Sequence, residues 1–231
     1  SLQQPHVPRT PNPRFVGKSQ MGPRGDAIIE ADWCIGELYK TLEENKLLEN
    51  TLIIFSSDNG PVLNDGYFDN AVEMLGEHTP SGGLRGGKYS LFEAGTRVPF
   101  IAYWKDKIKA GVSDQVISQI DLFNTVSKMI DSDFRTKDGK DLSNLILNNT
   151  GEGRSELVLE AMGKTAYRNE EWVMIPPYKG RKIAKNVLIE LGNSNEYMLF
   201  NLDKDPYQRN NLATKNPEKL NFMISNFDEI K

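Results

Sequence analysis

The sequence predicts an α/β fold, with a mixed sheet flanked by helices, followed by a small antiparallel α+β subdomain at the C-terminus. Two apolar runs, 51–57 and 98–104, lack polar alternation and predict strands that are buried on both faces. Over residues 25–46, apolar residues recur at three- and four-residue intervals, which predicts a helix with one buried stripe. After about residue 154, short apolar runs between turn residues indicate an antiparallel meander.

The remaining elements follow from local signals. A helix is predicted after Ser118, and a closing helix begins at Asn216, the candidate N-cap, with Pro217 at its first position. The strand-like runs of the meander are 156–160, 171–175, 185–189 and 197–200. Residues 61–97 are rich in Gly, Asp, Asn and Ser, and such a long stretch without periodicity is typical of a functional loop.

Composition excludes several classes of protein. The chain has 231 residues, 28 of them basic and 32 acidic, and its net charge of −4 argues against a nucleic-acid-binding surface. No apolar stretch approaches the roughly 20 residues that a membrane-spanning helix needs. A single cysteine, Cys34, excludes a disulfide within the chain.

The end of the first predicted strand carries the most informative polar residues. Asp58 and Asn59 follow the apolar run directly, and Gly60 and Pro61 then end it. A carboxylate and an amide oxygen are hard donors that suit Ca²⁺ or Mg²⁺. The alternative from this segment alone is that the Asp-Asn pair only shapes a turn.

The Asp-Asn turn is one of five motifs whose order along the chain points to a family. They are Pro-His-x-Pro at 5–8, Ser-Asp-Asn-Gly at 57–60, Gly-Lys at 87–88, Gly-x-Arg-x-Pro at 95–99, and Leu-x-x-Asp-Pro at 202–206 with Asn-Leu at 211–212. In this order the chain resembles the sulfatase family, which is arylsulfatase-like and belongs to the alkaline-phosphatase-like superfamily. The resemblance covers nearly the whole chain.

The resemblance implies that residues 1–150 are the C-terminal part of the sulfatase catalytic α/β domain. Residues 151–231 are then the C-terminal antiparallel sheet subdomain with its closing helix. The family's nucleophile is formylglycine, made from a Cys or Ser in Cys/Ser-x-Pro-x-Arg. Cys34 lacks Pro and Arg at that spacing, so we interpret it as a small buried hydrophobe and place the nucleophile outside this chain.

The chain is therefore expected to be the C-terminal portion of a longer formylglycine-dependent sulfatase, and to be inactive alone. The paired aspartates that complete the family's metal site are also missing from it. The expected partners are the missing N-terminal segment and a sulfated small molecule or glycan. The expected location of the parent protein is periplasmic, secreted or lysosomal, and no signal segment occurs in this chain.

The resemblance also implies roles for individual residues. Asp58 and Asn59 match the family's metal ligands, with Ca²⁺ expected and Mg²⁺ as the other candidate. Lys88 matches the lysine that grips a sulfate oxygen and the bridging ester oxygen. His6 matches the histidine near the leaving group, and imidazole suits general acid–base work.

Residues in the long loop are weaker candidates for substrate recognition. His78 is expected to contact the group that bears the sulfate. Arg85, Asp65 and Asp69 share the loop and are weaker candidates for binding a hydroxyl or carboxylate group of the substrate; the alternative for these three is a solvated loop charge. The favoured function is hydrolysis of a sulfate ester of a carbohydrate or aryl alcohol. The alternatives are a related phosphodiesterase or phosphonate hydrolase, and a non-catalytic binding fragment.

Overall fold

A computed structural model describes residues 1–230 of the chain. The elements are α1 (Gly22–Glu44), β1 (Ile53–Ser56), α2 (Glu93–Thr96), β2 (Phe100–Tyr103), α3 (Asp121–Met129), α4 (Ser143–Asn148), β3 (Glu156–Ala161), β4 (Lys164–Asn169), β5 (Trp172–Ile175), β6 (Ile183–Ala184), β7 (Ile189–Glu190), β8 (Met198–Asn201) and α5 (Pro217–Ile230), with short 3₁₀ turns at Pro13–Phe15 and Leu48–Asn50.

The two predicted apolar strands form one antiparallel pair, in which Ser56 of β1 lies opposite Phe100 of β2. Because the strands run in opposite directions, the end of β1 and the start of β2 lie at the same edge. The Asp-Asn turn after β1 therefore lies beside the Glu-Ala-Gly segment that precedes β2. This edge carries most of the predicted site.

The prediction that these strands are buried on both faces is wrong for residues 1–230. All four residues of β1 are half-buried, and β2 alternates between half-buried and exposed residues, with Ile101 59% exposed. The physical reason is that, within the described residues, the two strands pair only with each other. No third strand within residues 1–230 covers their edges.

Helix α1 begins three residues before its predicted start. Ala31 in its apolar stripe is buried, but Leu38 is 52% exposed, so the stripe is only partly covered by this chain. Cys34 is half-buried, not fully buried, and lines an apolar groove with Ile35 and Phe55. None of the helices in residues 1–230 has the length and hydropathy that a membrane crossing requires.

The C-terminal sheet has the strand order β3-β4-β5-β8, and every neighbouring pair is antiparallel. Helix α5 packs against it through Met223 and Phe227, and its predicted start at Pro217 is confirmed. Strand β4 was not predicted, because the polar residues at its ends conceal the buried Ala166 and Tyr167. The strand predicted over residues 185–189 is instead the turn and second strand of the β6–β7 hairpin.

Candidate functional site

The Asp-Asn turn is fixed by contacts with the backbone that precedes β2. Gly60 N–H donates to the carbonyl oxygen of Gly95 at 2.9 Å. A Cβ atom on Gly60 would lie 1.6 Å from the carbonyl oxygen of Ala94, so only glycine fits there. Asn59 donates its Nδ2 to the carbonyl oxygen of Gly60 at 2.9 Å, which leaves its Oδ1 as a free acceptor. Asp58 is exposed.

Lys88 is held close to this turn. Its backbone N–H donates to the carbonyl oxygen of Pro61 at 3.0 Å. Its Nζ lies 3.7 Å from Oδ2 of Asp65, and Tyr89 donates its hydroxyl to Oδ1 of the same carboxylate at 3.2 Å. Tyr89 has a φ of 77°, a backbone conformation that residues other than glycine seldom adopt. Such conformations cluster at functional sites. The Lys88 side chain is mostly enclosed, with 18% of its surface exposed.

His6 lies at the surface, in the proline-rich segment before α1. Its Nδ1 lies 2.8 Å from the carbonyl oxygen of Val7, and donation to that oxygen leaves Nε2 unprotonated in the neutral ring. The segment is tied to the rest of the site by Arg9, which donates to the carbonyl oxygens of Pro5 and Leu63, each at 3.0 Å.

Arg9 is a residue that the sequence analysis missed. Its side chain is 1% exposed, and it also forms an ion pair with Asp69 at 2.7 Å. Arg24 is buried nearby. Burial lowers the pKa of Arg24, the positive charge of Arg9 lowers it further, and Asp69 opposes both effects. The only signal in the sequence was an arginine three residues after the candidate histidine, and its partner lies 60 residues away.

The structure places the weaker candidates differently. His78 is exposed in the long loop, at the end of a turn that is closed by its N–H and the carbonyl oxygen of Leu75. Asp65 contacts Lys88. Asp69 forms an ion pair with Arg9 and so stabilises the loop. Arg85 is bound to Glu190 of β7 at 2.5 Å, so its guanidinium is occupied within the chain.

The residues present fit part of a metal site. Asp58 offers a carboxylate and Asn59 a free amide oxygen at one turn, and both are hard ligands of the kind that Ca²⁺ and Mg²⁺ take. Within residues 1–230, no group of three or more His, Cys, Asp or Glu side chains could hold a metal ion.

Comparisons with known proteins show which family this chain is similar to. The family model described as Sulfatase matches residues 1–132. The chain is 40% identical over 233 residues to N-acetylgalactosamine-6-O-sulfatase of Bacteroides thetaiotaomicron, and the match covers 99% of this chain and 46% of that protein. Human arylsulfatase A is 35% identical over 152 residues, which are 65% of this chain and 28% of that protein.

Solved structures show the same similarity. One, from work on the metabolism of multiple glycosaminoglycans by Bacteroides thetaiotaomicron, is 39% identical with a TM-score of 0.95, and the match covers 99% of this chain and 48% of that one. A Pseudoalteromonas sulfatase is 28% identical with a TM-score of 0.72, over 96% of this chain and 46% of that one. The chain thus spans about half the length of these relatives.

Proposed function

Because the chain belongs to the sulfatase family, we propose that the full-length protein hydrolyses a sulfate ester by cleavage of an S–O bond. The observation that carries the proposal is the convergence of two motifs at one edge of the β1–β2 pair. Gly60 is bonded to Gly95 and Lys88 to Pro61, each through the backbone. The Asp-Asn turn and the lysine are therefore held together by the fold.

Asp58 and Asn59 are the proposed ligands of a divalent cation, Ca²⁺ or Mg²⁺. When bound, such an ion supplies positive charge that holds and polarises the sulfate oxygens. The two side chains give oxygen ligands from one turn. Ca²⁺ takes about 6–8 oxygen ligands, so we expect substrate, water and other protein oxygens to supply the remaining ligands.

Lys88 and His6 are the proposed catalytic residues of this chain. The ammonium group of Lys88 would offset the charge that develops on the leaving oxygen, an electrostatic role. His6 would act as the imidazolium, with Nδ1–H bonded to the carbonyl oxygen of Val7, and would donate its Nε2 proton to the leaving oxygen, which leaves the neutral ring protonated on Nδ1. The nucleophile is proposed to be a formylglycine made from a Cys or Ser outside this chain, and not from Cys34.

The proposed substrate is a sulfated carbohydrate. The similar Bacteroides protein is named for 6-O-sulfated N-acetylgalactosamine, and this sugar is therefore the first substrate to test. His78 remains a proposed contact to the sugar, because it lies exposed in the loop ahead of Lys88. For Arg85, contacts within the chain favour a positioning role over direct substrate binding. A periplasmic, secreted or lysosomal location is proposed with the family.

The test is sulfate release by the full-length protein from 6-O-sulfated N-acetylgalactosamine and from an aryl sulfate, beside the corresponding phosphate esters. Asp58→Ala and Lys88→Ala are each expected to lower turnover by roughly 10²–10³-fold, as loss of one preorganised charge contact does. Cys34→Ala is the control and should leave turnover within about twofold. Faster cleavage of phosphate esters would favour the phosphodiesterase alternative, and wild-type rates in both site variants would refute the assignment.

A further inference from the structure

The strand β7 and the two residues that follow it lie along the loop that carries Lys88. Glu190 accepts two hydrogen bonds from Arg85, from Nε at 2.5 Å and from Nη2 at 3.2 Å. This is the bidentate arrangement that fixes a guanidinium group in position as well as in charge. The pair joins residues 105 positions apart in the sequence.

The residues on either side of Glu190 contact the same loop. A Cβ atom on Gly87 would lie 3.0 Å from Cδ1 of Ile189 and 2.7 Å from the carbonyl oxygen of Pro61, so Gly87 is confined between β7 and the Asp-Asn turn. Leu191 accepts a hydrogen bond from the N–H of Leu91 at 3.2 Å. Three consecutive residues of the C-terminal subdomain thus contact the loop on both sides of Lys88.

Arg85 is held by two further groups. Its Nη1 donates to the carbonyl oxygen of Gln208 at 2.7 Å, and its guanidinium carbon lies 3.9 Å from the ring centre of Phe92. Gln208 is fully buried, and its Oε1 accepts from the N–H of Glu93 at 2.7 Å. The C-terminal subdomain therefore fixes both ends of the loop that carries Lys88, at Arg85 before it and at Leu91 and Glu93 after it.

The energetics favour a geometric role for this ion pair. The Arg85 and Glu190 side chains are 29% and 45% exposed, and exposed pairs contribute little to stability. Hydrogen bonding from Arg85 lowers the pKa of Glu190, so the pair remains ionised near neutral pH. The Arg85–Glu190 pair is bidentate, and the guanidinium of Arg85 has four contacts in all, although the pair contributes little to stability. Its main effect is therefore to orient the loop.

We propose that Glu190 and Arg85 are positioning residues for Lys88, through which the C-terminal subdomain sets the place of the catalytic ammonium group. The catalytic part of this statement rests on the proposed function. Within residues 1–230, Lys88 itself is contacted by the carbonyl oxygen of Pro61, the carboxylate of Asp65 and the ring of Tyr89, and by no residue of β7. Loosening β7 would leave the loop held from one side, and displacement of a catalytic group by about 1 Å is enough to lower a rate strongly.

The kinetic test uses full-length Glu190→Gln and a series of aryl sulfates whose leaving phenols differ in acidity. The expected result is a roughly tenfold loss of kcat, with KM changed by less than about twofold. The rate should also depend more steeply on leaving-group pKa, because a displaced ammonium offsets the leaving oxygen's charge less well. Glu190→Asp should recover part of the loss. Glu49→Gln breaks an exposed ion pair with Lys105 at 3.2 Å and should change none of these quantities.

A second measurement is independent of turnover. Acetic anhydride labelling, followed by mass spectrometry, should modify Lys88 several-fold faster in Glu190→Gln than in the wild type, while Lys105 labels equally in both. A lower melting temperature with unchanged Lys88 labelling and unchanged leaving-group dependence would overturn the inference and leave a purely structural pair. Faster Lys88 labelling in a protein that cleaves no sulfate ester would support the positioning role and refute the proposed function.

Discussion

Residues 1–150 and residues 151–230, the division that the sequence predicts and that we propose, bury their apolar side chains differently. In the C-terminal subdomain, Val173, Met174 and Ile175 of β5 are all completely buried. In the first region, Phe123 and Ile130, at α3 and its C-cap, are 53% and 69% exposed. The second region therefore has a closed core, to which Leu91 and Phe92 of the first region also contribute, whereas the first region presents exposed apolar faces as well.

Helix α3 shows the contrast most clearly, because its polar side is the buried one. Asp121 accepts hydrogen bonds from the N–H groups of Ser118 at 2.9 Å and Lys140 at 2.8 Å. Asn124 donates to the carbonyl oxygens of Thr136 and Gly139. These contacts hold α3 to the segment that follows it, and its apolar side is left facing outward. A helical stripe of this kind usually faces a core or a partner.

The two regions therefore have different places in the proposed site. The first region carries the proposed site residues Asp58, Lys88 and His6, and the second contacts the loop around Lys88 through Ile189, Glu190 and Leu191. We expect the exposed faces of α1, α3 and β2 to be covered in the full-length protein, since its relatives are about twice as long as this chain.

The largest predicted effect concerns the connection between the two regions. Arg154, just before β3, forms an ion pair with Asp121 at 2.5 Å, and the side chains are 10% and 1% exposed. Asp121→Asn is expected to cost about 3–5 kcal/mol of unfolding free energy, because it leaves a buried guanidinium without its counter-ion. Lys105→Met breaks an exposed pair and should cost about 0–1 kcal/mol.

The pH dependence of this effect has a definite sign. Burial alone would raise the pKa of Asp121, but hydrogen bonds from Arg154, Lys140 and Ser118 outweigh it and lower the pKa. The stabilisation is therefore present above the unfolded pKa, about 3.9, and is lost as pH falls through the lower folded value. Urea unfolding of wild type and variant at pH 7 and at decreasing pH measures it. If the unfolding free energies of wild type and Asp121→Asn differ by less than about 1 kcal/mol at pH 7, the regions are coupled mainly by other contacts.

The second prediction compares one buried and one exposed apolar residue. Leu199→Ala in β8, where the side chain is fully buried, should cost about 2–5 kcal/mol in the 231-residue chain and in the full-length protein alike. Phe123→Ala should cost at most about 0.5 kcal/mol in the 231-residue chain. In the full-length protein it should cost about 3–5 kcal/mol if α3 is covered there. Equal, small costs for Phe123→Ala in both proteins would remove the contrast between the regions.

The sequence was sufficient where a signal is local. The start of α5 follows from Asn216 and Pro217, and β1 follows from a continuous apolar run. The turn at Asp58 follows from the breakers after that run. In each case, residues within a few positions determine the backbone conformation, so one sequence without relatives is enough.

The sequence failed where structure depends on distant contacts. The clamp of Arg9 on Asp69 and the pair of Arg85 with Glu190 join segments 60 and 105 residues apart, and no periodic pattern marks either. Strand β4 is polar at its ends, and only its sheet neighbours bury its centre. Burial of β1 on both faces was predicted from hydrophobicity alone. Hydrophobicity indicates that the side chains of a strand favour burial, but it does not show which elements are present to cover them.

The smallest predicted effect has the opposite sign to that of Asp121 and arises where the Lys88 loop meets the C-terminal subdomain. Burial raises the pKa of Glu93, and the charges of Arg168 and Arg97 only partly offset it. These arginines lie 3.8 and 3.7 Å from its Oε2, which accepts no hydrogen bond. The ionised carboxylate is therefore less favourable in the folded state than in the unfolded chain.

Glu93→Gln should consequently be as stable as the wild type or more stable at pH 7, by at most about 1 kcal/mol. The wild-type carboxyl group is protonated at low pH. The stability difference between variant and wild type should therefore disappear as pH falls below the pKa of Glu in the unfolded chain, about 4.3. Thermal unfolding of both proteins between pH 4 and pH 7, on the same buffer series, measures the gap. A variant that is less stable than the wild type at pH 7, with a deficit that grows with pH, would show that the two arginines dominate over burial. The Glu93 contact would then be stabilised by an ionised carboxylate, as the Asp121 contact is.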